Sequence, residues 1–197
     1  LITETLGHLG VDEGIVATVA DARGRLLKPG ARLVPERIDI LLALTSDRLV
    51  HERELCFWRG QVKGVSLASA VPVAAARVYL RTLTEGELLT TPRRAARIEL
   101  GSATEPPGRL ELETTARADA AITGIAAWFE CDLGAGVHLS SRATSSWFPL
   151  LFPLRPPVEV RTLDPCVLRV ESRALVDEVA WSWTVETAHG RGEGGRR

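Results

Sequence analysis

Val-Ala-Trp-Ser-Trp-Thr-Val-Glu, residues 179–186, sets the architecture of this chain. Val179, Trp181, Trp183 and Val185 alternate with Ala180, Ser182, Thr184 and Glu186, the period of a strand with one face in a core. The strand reads from Val176 to Glu186. Upstream of it, Cys166 to Ser172, Val158 to Leu163, Val137 to Ser140 and Ala121 to Leu133 read the same way. So do Arg109 to Thr115, Ala76 to Leu83 and Arg37 to Thr45. Turn signals such as Glu105-Pro106-Pro107-Gly108 and Leu163-Asp164-Pro165 separate them. Many short strands at regular spacing predict a β-barrel or sandwich.

Two stretches depart from this pattern. Between Arg53 and Ala75 the alternation fails and small residues abound, which predicts a partly helical excursion. Residues 188–197 are rich in Gly and Arg and read as a disordered tail. Residues 1–35 have a different period. Leu1 and Ile2 read as the end of a buried strand, and Asp12 as an N-cap with Glu13 in the first helical turn. Ile15, Val16, Val19, Leu26 and Leu27 recur at helical spacing, with Asp21, Arg23 and Arg25 left for water. Lys28-Pro29-Gly30 stops the helix, and Ala31 to Val34 read as a short strand. Strand, helix, strand is half of a doubly wound α/β unit. The expected fold class is therefore mainly β: a barrel over residues 36–187, preceded by a Rossmann-like α/β remnant at 1–35.

Composition excludes several function classes. A net charge of −1 over 197 residues argues against a nucleic-acid footprint or a polybasic membrane surface. No apolar run approaches membrane-spanning length. The three cysteines, Cys56, Cys131 and Cys166, form no Cys-x-x-Cys pair and read as buried free thiols, so the cytoplasm is the expected compartment. His8, His51, His138 and His189 have no metal-ligand spacing. The chain contains no methionine and opens at Leu1, so we expect a fragment whose upstream part is absent.

Glu4 and Glu13, nine positions apart, carry the chemistry. A connection between a strand and a helix can turn back and bring two carboxylates together. Such a pair suits a guanidinium, which is planar, permanently charged and presents its donors in a fork. Spacing alone leaves the plainer reading open, since acids at helix starts commonly serve the dipole.

The surrounding residues add more. Thr3-Glu4-Thr5-Leu6-Gly7, Asp12-Glu13, Asp21-Ala22-Arg23 and Leu27 to Pro35 closely resemble, in order, the double-glutamate hairpin of protein arginine methyltransferases and the helix and strand after it. Downstream, Trp128-Phe129-Glu130, Gly136 to Ser140, Ser145-Ser146-Trp147, Phe152-Pro153-Leu154 and Pro157 to Val160 resemble that family's barrel core. The resemblance implies that Glu4 and Glu13 clamp the substrate guanidinium and that Trp147 walls its pocket. Ser146 stands where the family usually has a histidine; it can hydrogen-bond but cannot act as a base near neutral pH.

The resemblance further implies S-adenosylmethionine as methyl donor, a protein or peptide arginine as acceptor, and a homodimer of the intact protein. It places residues 1–35 at the end of the cofactor domain and a dimerisation arm at about 53–75. Gly14 and Ile15 would edge the donor site. No Gly-rich strand-to-helix turn for the cofactor is found, because Gly190-Arg191-Gly192-Glu193-Gly194-Gly195 lies in the tail. The chain alone is therefore expected to be inactive. Two alternatives remain: a protein-binding barrel without catalysis, and a methyltransferase for a small guanidino compound. Arg191 between two glycines also resembles the arginines such enzymes methylate.

Overall fold

The computed structural model describes residues 1–48, 51–144, 146–174 and 179–195. Ser145, the Val176 start of the predicted strand and the last two residues lie outside these. Twelve strands are found among them. They are β1 (Arg37–Thr45), β2 (Gln61–Val62), β3 (Val65–Ser66), β4 (Tyr79–Leu80), β5 (Arg93–Glu99) and β6 (Arg109–Thr115). Then come β7 (Ala120–Gly134), β8 (Val137–Ser140), β9 (Leu150–Val160), β10 (Pro165–Ala174), β11 (Val179–Thr187) and β12 (Gly190–Gly195).

Ten of these strands form one antiparallel sheet in the order β5-β1-β7-β9-β12-β11-β10-β6, with β8 added to β7 and β4 to β9. The two outer strands of that order approach each other, and Arg93 Nη1 of β5 donates to the Glu113 carbonyl of β6 at 3.3 Å. The sheet is thus a nearly closed barrel, which leaves few open edges.

Alternation fills its interior. Ile38, Ile40, Leu42 and Leu44 of β1 stand opposite Cys131, Phe129, Ala127 and Ile125 of β7. All are buried, and Phe152, Leu154, Leu168, Val170, Trp183 and Val185 join them in one core. β1 reads as a near-continuous apolar run for a reason. Its other face, with Ala43, packs on Leu83, Leu88, Ala126 and Trp128, so both faces are covered. The covering segment holds its shape through a capping box, in which Glu87 Oε2 accepts from the Thr84 backbone N–H at 2.7 Å.

The N-terminal segment packs on that same core. Helix α1 (Ile15–Arg25) buries Ile15, Val16, Val19 and Ala22, and Leu6, Leu9 and Leu33 lie beside them. The two strands expected around it reduce to a single parallel bridge, Ile2 to Val34. Leu1 and Ile2 are exposed rather than buried, because no described residue covers them. Arg23, expected to face water, donates instead to the carbonyls of Leu100 at 2.5 Å and Ala103 at 2.7 Å. It pins α1 to the loop after β5.

The excursion is partly helical, in keeping with its composition. It runs through a π-turn at His51–Leu55, a 3-10 turn at Cys56–Arg59, the β2–β3 hairpin and helix α2 (Val71–Ala75). A small core of Leu55, Ala74, Ala75 and Trp58 holds it together. Its root is fixed by Arg81 Nε on the fully buried Asp47 carboxylate at 2.6 Å.

Three other expectations are corrected. Residues 190–195 are not disordered: they form β12 between β11 and β9, and Arg191 pairs with Glu186 at 3.3 Å. β5 is a strand that alternation does not mark, because Ile98 is its one buried side chain and a register shift breaks its pairing with β1. Residues 76–83 supply only the two-residue β4, and the strand expected at Val158 begins at Leu150.

Candidate functional site

The segment carrying Glu4 and Glu13 is shaped by glycine turns and one aspartate. Gly7 and Gly10 have φ of 66° and 82°, a region that glycine enters at little cost. Asp12 does not cap α1. Its Oδ1 accepts from the Leu9 N–H at 2.7 Å and its Oδ2 from the His8 N–H at 3.1 Å. A carboxylate folding back on nearby backbone amides is the alternative use of a capping residue. The actual N-cap is Gly14, at φ 82°, with no side-chain cap, so Glu13 precedes the helix instead of lying in its first turn.

Buried leucines and one close approach anchor the segment. Leu6 and Leu9 are buried in the barrel core. Gly10 rests on β7 and β1 so closely that a Cβ there would lie 2.8 Å from Phe129 Cβ and 2.9 Å from Ile38 Cγ2. Phe129 also holds the downstream loop: the Trp147 ring meets it edge to face, with centroids 5.7 Å apart. His8 closes the arrangement. Its Nδ1 accepts from the Phe148 backbone N–H at 3.2 Å, across 140 residues of sequence.

The structure therefore brings the glutamate segment and the Trp147 loop into direct contact. Glu4 and Glu13 are both exposed, and neither has a hydrogen bond or ion pair with any described residue. Two free carboxylates on a backbone held by buried leucines can receive a cationic ligand without breaking an internal pair. Trp147 is half-buried, and Ser146 is exposed. Gly14 is exposed, and a Cβ there would meet nothing within 4 Å. Ile15 is fully buried and presents no side chain to a ligand. These residues offer a cofactor an open edge beside Glu13, not a cradle.

Sequence reasoning missed His8, Asp12 and Phe129 as parts of this site. The partners of His8 and Phe129 lie far away in the chain, so no local period marks them. Asp12 carries a signal that two structures share, since Asx turns and N-caps use the same residue. No group of three or more His, Cys, Asp or Glu suited to a metal occurs among the described residues.

Comparison with known proteins bears on the family and on the barrel fold. A family model described as the PRMT5 oligomerisation domain matches residues 101–194. The Arginine N(omega)-methyltransferase of Streptomyces achromogenes subsp. streptozoticus is 29% identical over 181 residues, covering 86% of this chain and 48% of that protein. Probable protein arginine N-methyltransferase 6.2 of Oryza sativa is 26% identical over 153 residues, 72% of this chain and 38% of that protein. The chain thus spans half or less of the length of these curated relatives. Among solved structures, the Trypanosoma brucei PRMT1 enzyme-prozyme heterotetrameric complex with AdoHcy superposes with a TM-score of 0.84 at 14% identity. That match covers 98% of this chain and 67% of the other. Arabidopsis thaliana protein arginine methyltransferase 10 gives 0.75 at 15% identity, covering 98% and 69%.

Proposed function

From a chain that belongs to the protein arginine N-methyltransferase family and carries its carboxy-terminal barrel, we propose that the intact protein methylates a guanidinium nitrogen of arginine. The observation that carries the reading is the pair Glu4 and Glu13: exposed, without partners among the described residues, and borne on a segment locked to the Trp147 loop.

The chemistry follows from the charge of the acceptor. A guanidinium keeps its proton in water, with a pKa of about 12 or more. Carboxylates accepting from its N–H groups draw positive charge toward one nitrogen and leave a terminal nitrogen more nucleophilic. They also fix the direction from which that nitrogen attacks, and positioning of this kind supplies much of the rate. Trp147 walls the pocket, and Ser146 faces it without a basic group. S-adenosylmethionine, when bound, supplies an electrophilic methyl group. We assign its binding mainly to a cofactor domain of the intact protein, with residues 1–35 as the end of that domain and Gly14 at the edge of the donor site. The 197-residue chain by itself is then inactive.

Replacing Glu4 or Glu13 by glutamine in the intact protein tests this. Turnover should fall about a hundred-fold or more, as when an oriented electrostatic contact is lost from a transition state. The unfolding temperature should stay unchanged, because both side chains are exposed. Full activity in both variants would overturn the reading.

The acceptor has a second candidate. The Streptomyces relative is named for arginine without mention of a protein, and it matches more of this chain than the rice relative does. Free arginine therefore competes with peptide arginine as the substrate. Assaying both acceptors with the same enzyme decides which has the larger kcat/KM.

The intact protein is also proposed to be a homodimer joined through the arm at residues 53–75. Phe57, Val62, Val65 and Val73 are exposed there, an apolar surface suited to a partner. The domain match is described as an oligomerisation domain, and the trypanosome neighbour is a heterotetramer, which supports assembly in general. Phe57→Asp should convert the dimer to a monomer in sedimentation equilibrium. A dimer that survives the change removes the arm from the interface.

A further inference from the structure

We propose that His8 is a positioning residue that sets Trp147 against the glutamate segment, acting through the bond from the Phe148 backbone N–H to its Nδ1. The proposal deepens the methyltransferase reading and, for its catalytic consequence, rests on it.

The geometry leaves His8 little freedom. Both oxygens of Asp12 are spent on the backbone N–H groups of His8 and Leu9. Gly7 lies against that same carboxylate, where a Cβ would come within 2.6 Å of Asp12 Cγ. Leu9, the next residue, is buried. The backbone that bears the imidazole is therefore fixed from both sides before the ring makes any contact. Accepting at Nδ1 then requires the neutral ring to carry its proton on Nε2.

On the Trp147 loop, the described residues nearest Phe148 are held mainly by packing and by bonds at the loop's ends. The Trp147 N–H reaches Thr144 Oγ1 only at 3.4 Å, and Ser146 is exposed. The Trp147 ring leans on Phe129, the residue that Gly10 also touches. Besides the Phe148 bond, the described contacts of the Trp147 loop are the Phe129 ring, the core that Trp147 packs on, the long bond to Thr144 and, at the loop's end, the Arg81 N–H to the Pro149 carbonyl at 2.9 Å. His8 thus couples the loop to the segment carrying Glu4 and Glu13 by a direct polar bond, beside the shared apolar support of Phe129. A guanidinium between them would feel a change at His8 as a change in fit, not as a change in charge on the clamp.

Two substitutions in the intact protein separate this from simple packing. His8→Phe keeps a ring of similar size and removes the acceptor. His8→Asn removes the ring and keeps an acceptor oxygen near the Nδ1 position. Hydrogen exchange at the Phe148 amide is read first, by fragmentation mass spectrometry. It should quicken about five- to ten-fold in His8→Phe, the worth of one hydrogen bond, and return toward the native rate in His8→Asn. Acceptor kinetics are read second. KM for the guanidino acceptor should rise several-fold in His8→Phe with S-adenosylmethionine affinity unchanged, and His8→Asn should restore it. If both variants quicken exchange equally, or neither does, the coupling is refuted. If exchange responds as expected while acceptor KM does not move, the positioning role is refuted and the bond is only structural. A wild-type protein that methylates no guanidino compound, with exchange behaving as described, would refute the methyltransferase reading and leave the His8 coupling established.

Discussion

At the scale of single residues, two glycines test how the glutamate segment is held. Gly10 and Gly30 both have positive φ, at 82° and 75°. They differ in surroundings. A Cβ on Gly30 meets nothing within 4 Å, whereas one on Gly10 would run into Phe129 and Ile38. Gly30→Ala should therefore cost only the left-handed backbone penalty, about 1–2 kcal/mol. Gly10→Ala adds overpacking of a well-filled core and should cost about 2–4 kcal/mol in all. Urea unfolding of the two variants measures the difference. Equal losses would mean that the segment does not seat on Phe129. The same position decides whether the Trp147 loop and the glutamate segment share a support, since Phe129 touches both.

At the scale of elements, β12 shows how a strand can hide in a sequence. Gly192 and Gly194 are required by the neighbours they cross. A Cβ on Gly194 would lie 2.5 Å from the Trp183 ring, and one on Gly192 would lie 2.7 Å from the Pro156 carbonyl. The Trp183 ring cannot swing away, because its Nε1–H donates to the Pro153 carbonyl at 2.6 Å inside the barrel. Gly194→Ala should thus destabilise the protein by about 1–3 kcal/mol although the residue is only half-buried. An unchanged unfolding midpoint in urea would show that β12 is not pressed on Trp183. Strands that bury one face are legible from alternation, β11 most clearly. β12 is not, since glycine carries no hydropathy signal and its composition matches that of a disordered tail. β5, Arg-Arg-Ala-Ala-Arg-Ile-Glu, escapes notice because much of its surface lies outside the core. The candidate site is legible at Glu4, Glu13 and Trp147 only through their sequence neighbourhood. Its internal bonds, from Asp12 and His8, depend on turns and on a contact 140 residues apart that no window along the chain contains.

At the scale of the whole molecule, arginine–carboxylate pairs and hydrogen-bonded acids ring the barrel's outside and set its response to acid. Asp39 lies below the usual aspartate range, first because Arg97 hydrogen-bonds it and then through the charges of Arg97, Arg94 and Arg37. Glu186 and Glu111 are lowered chiefly by hydrogen bonds from Arg169 and Arg109, and Asp119 by the Thr162 amide and hydroxyl. Each of these acids binds its proton less readily folded than unfolded. Their stabilisation is therefore complete above the ordinary carboxylate values, roughly pH 4 to 4.5, and is lost as pH falls through the lower folded values. Urea midpoints measured from pH 7 down to 2 should decline below about pH 4. Asp39 contributes most, because its side chain is 18% exposed while Glu111 and Glu186 lie open to solvent that screens them. Asp39→Asn should lower the midpoint at pH 7 and flatten the acid limb, and added salt should change that limb less than it would for an exposed pair. A variant whose acid limb keeps the wild-type slope would move the pH dependence to the other carboxylates. The Asp39 cluster would then matter only for how β1 and β5 pair.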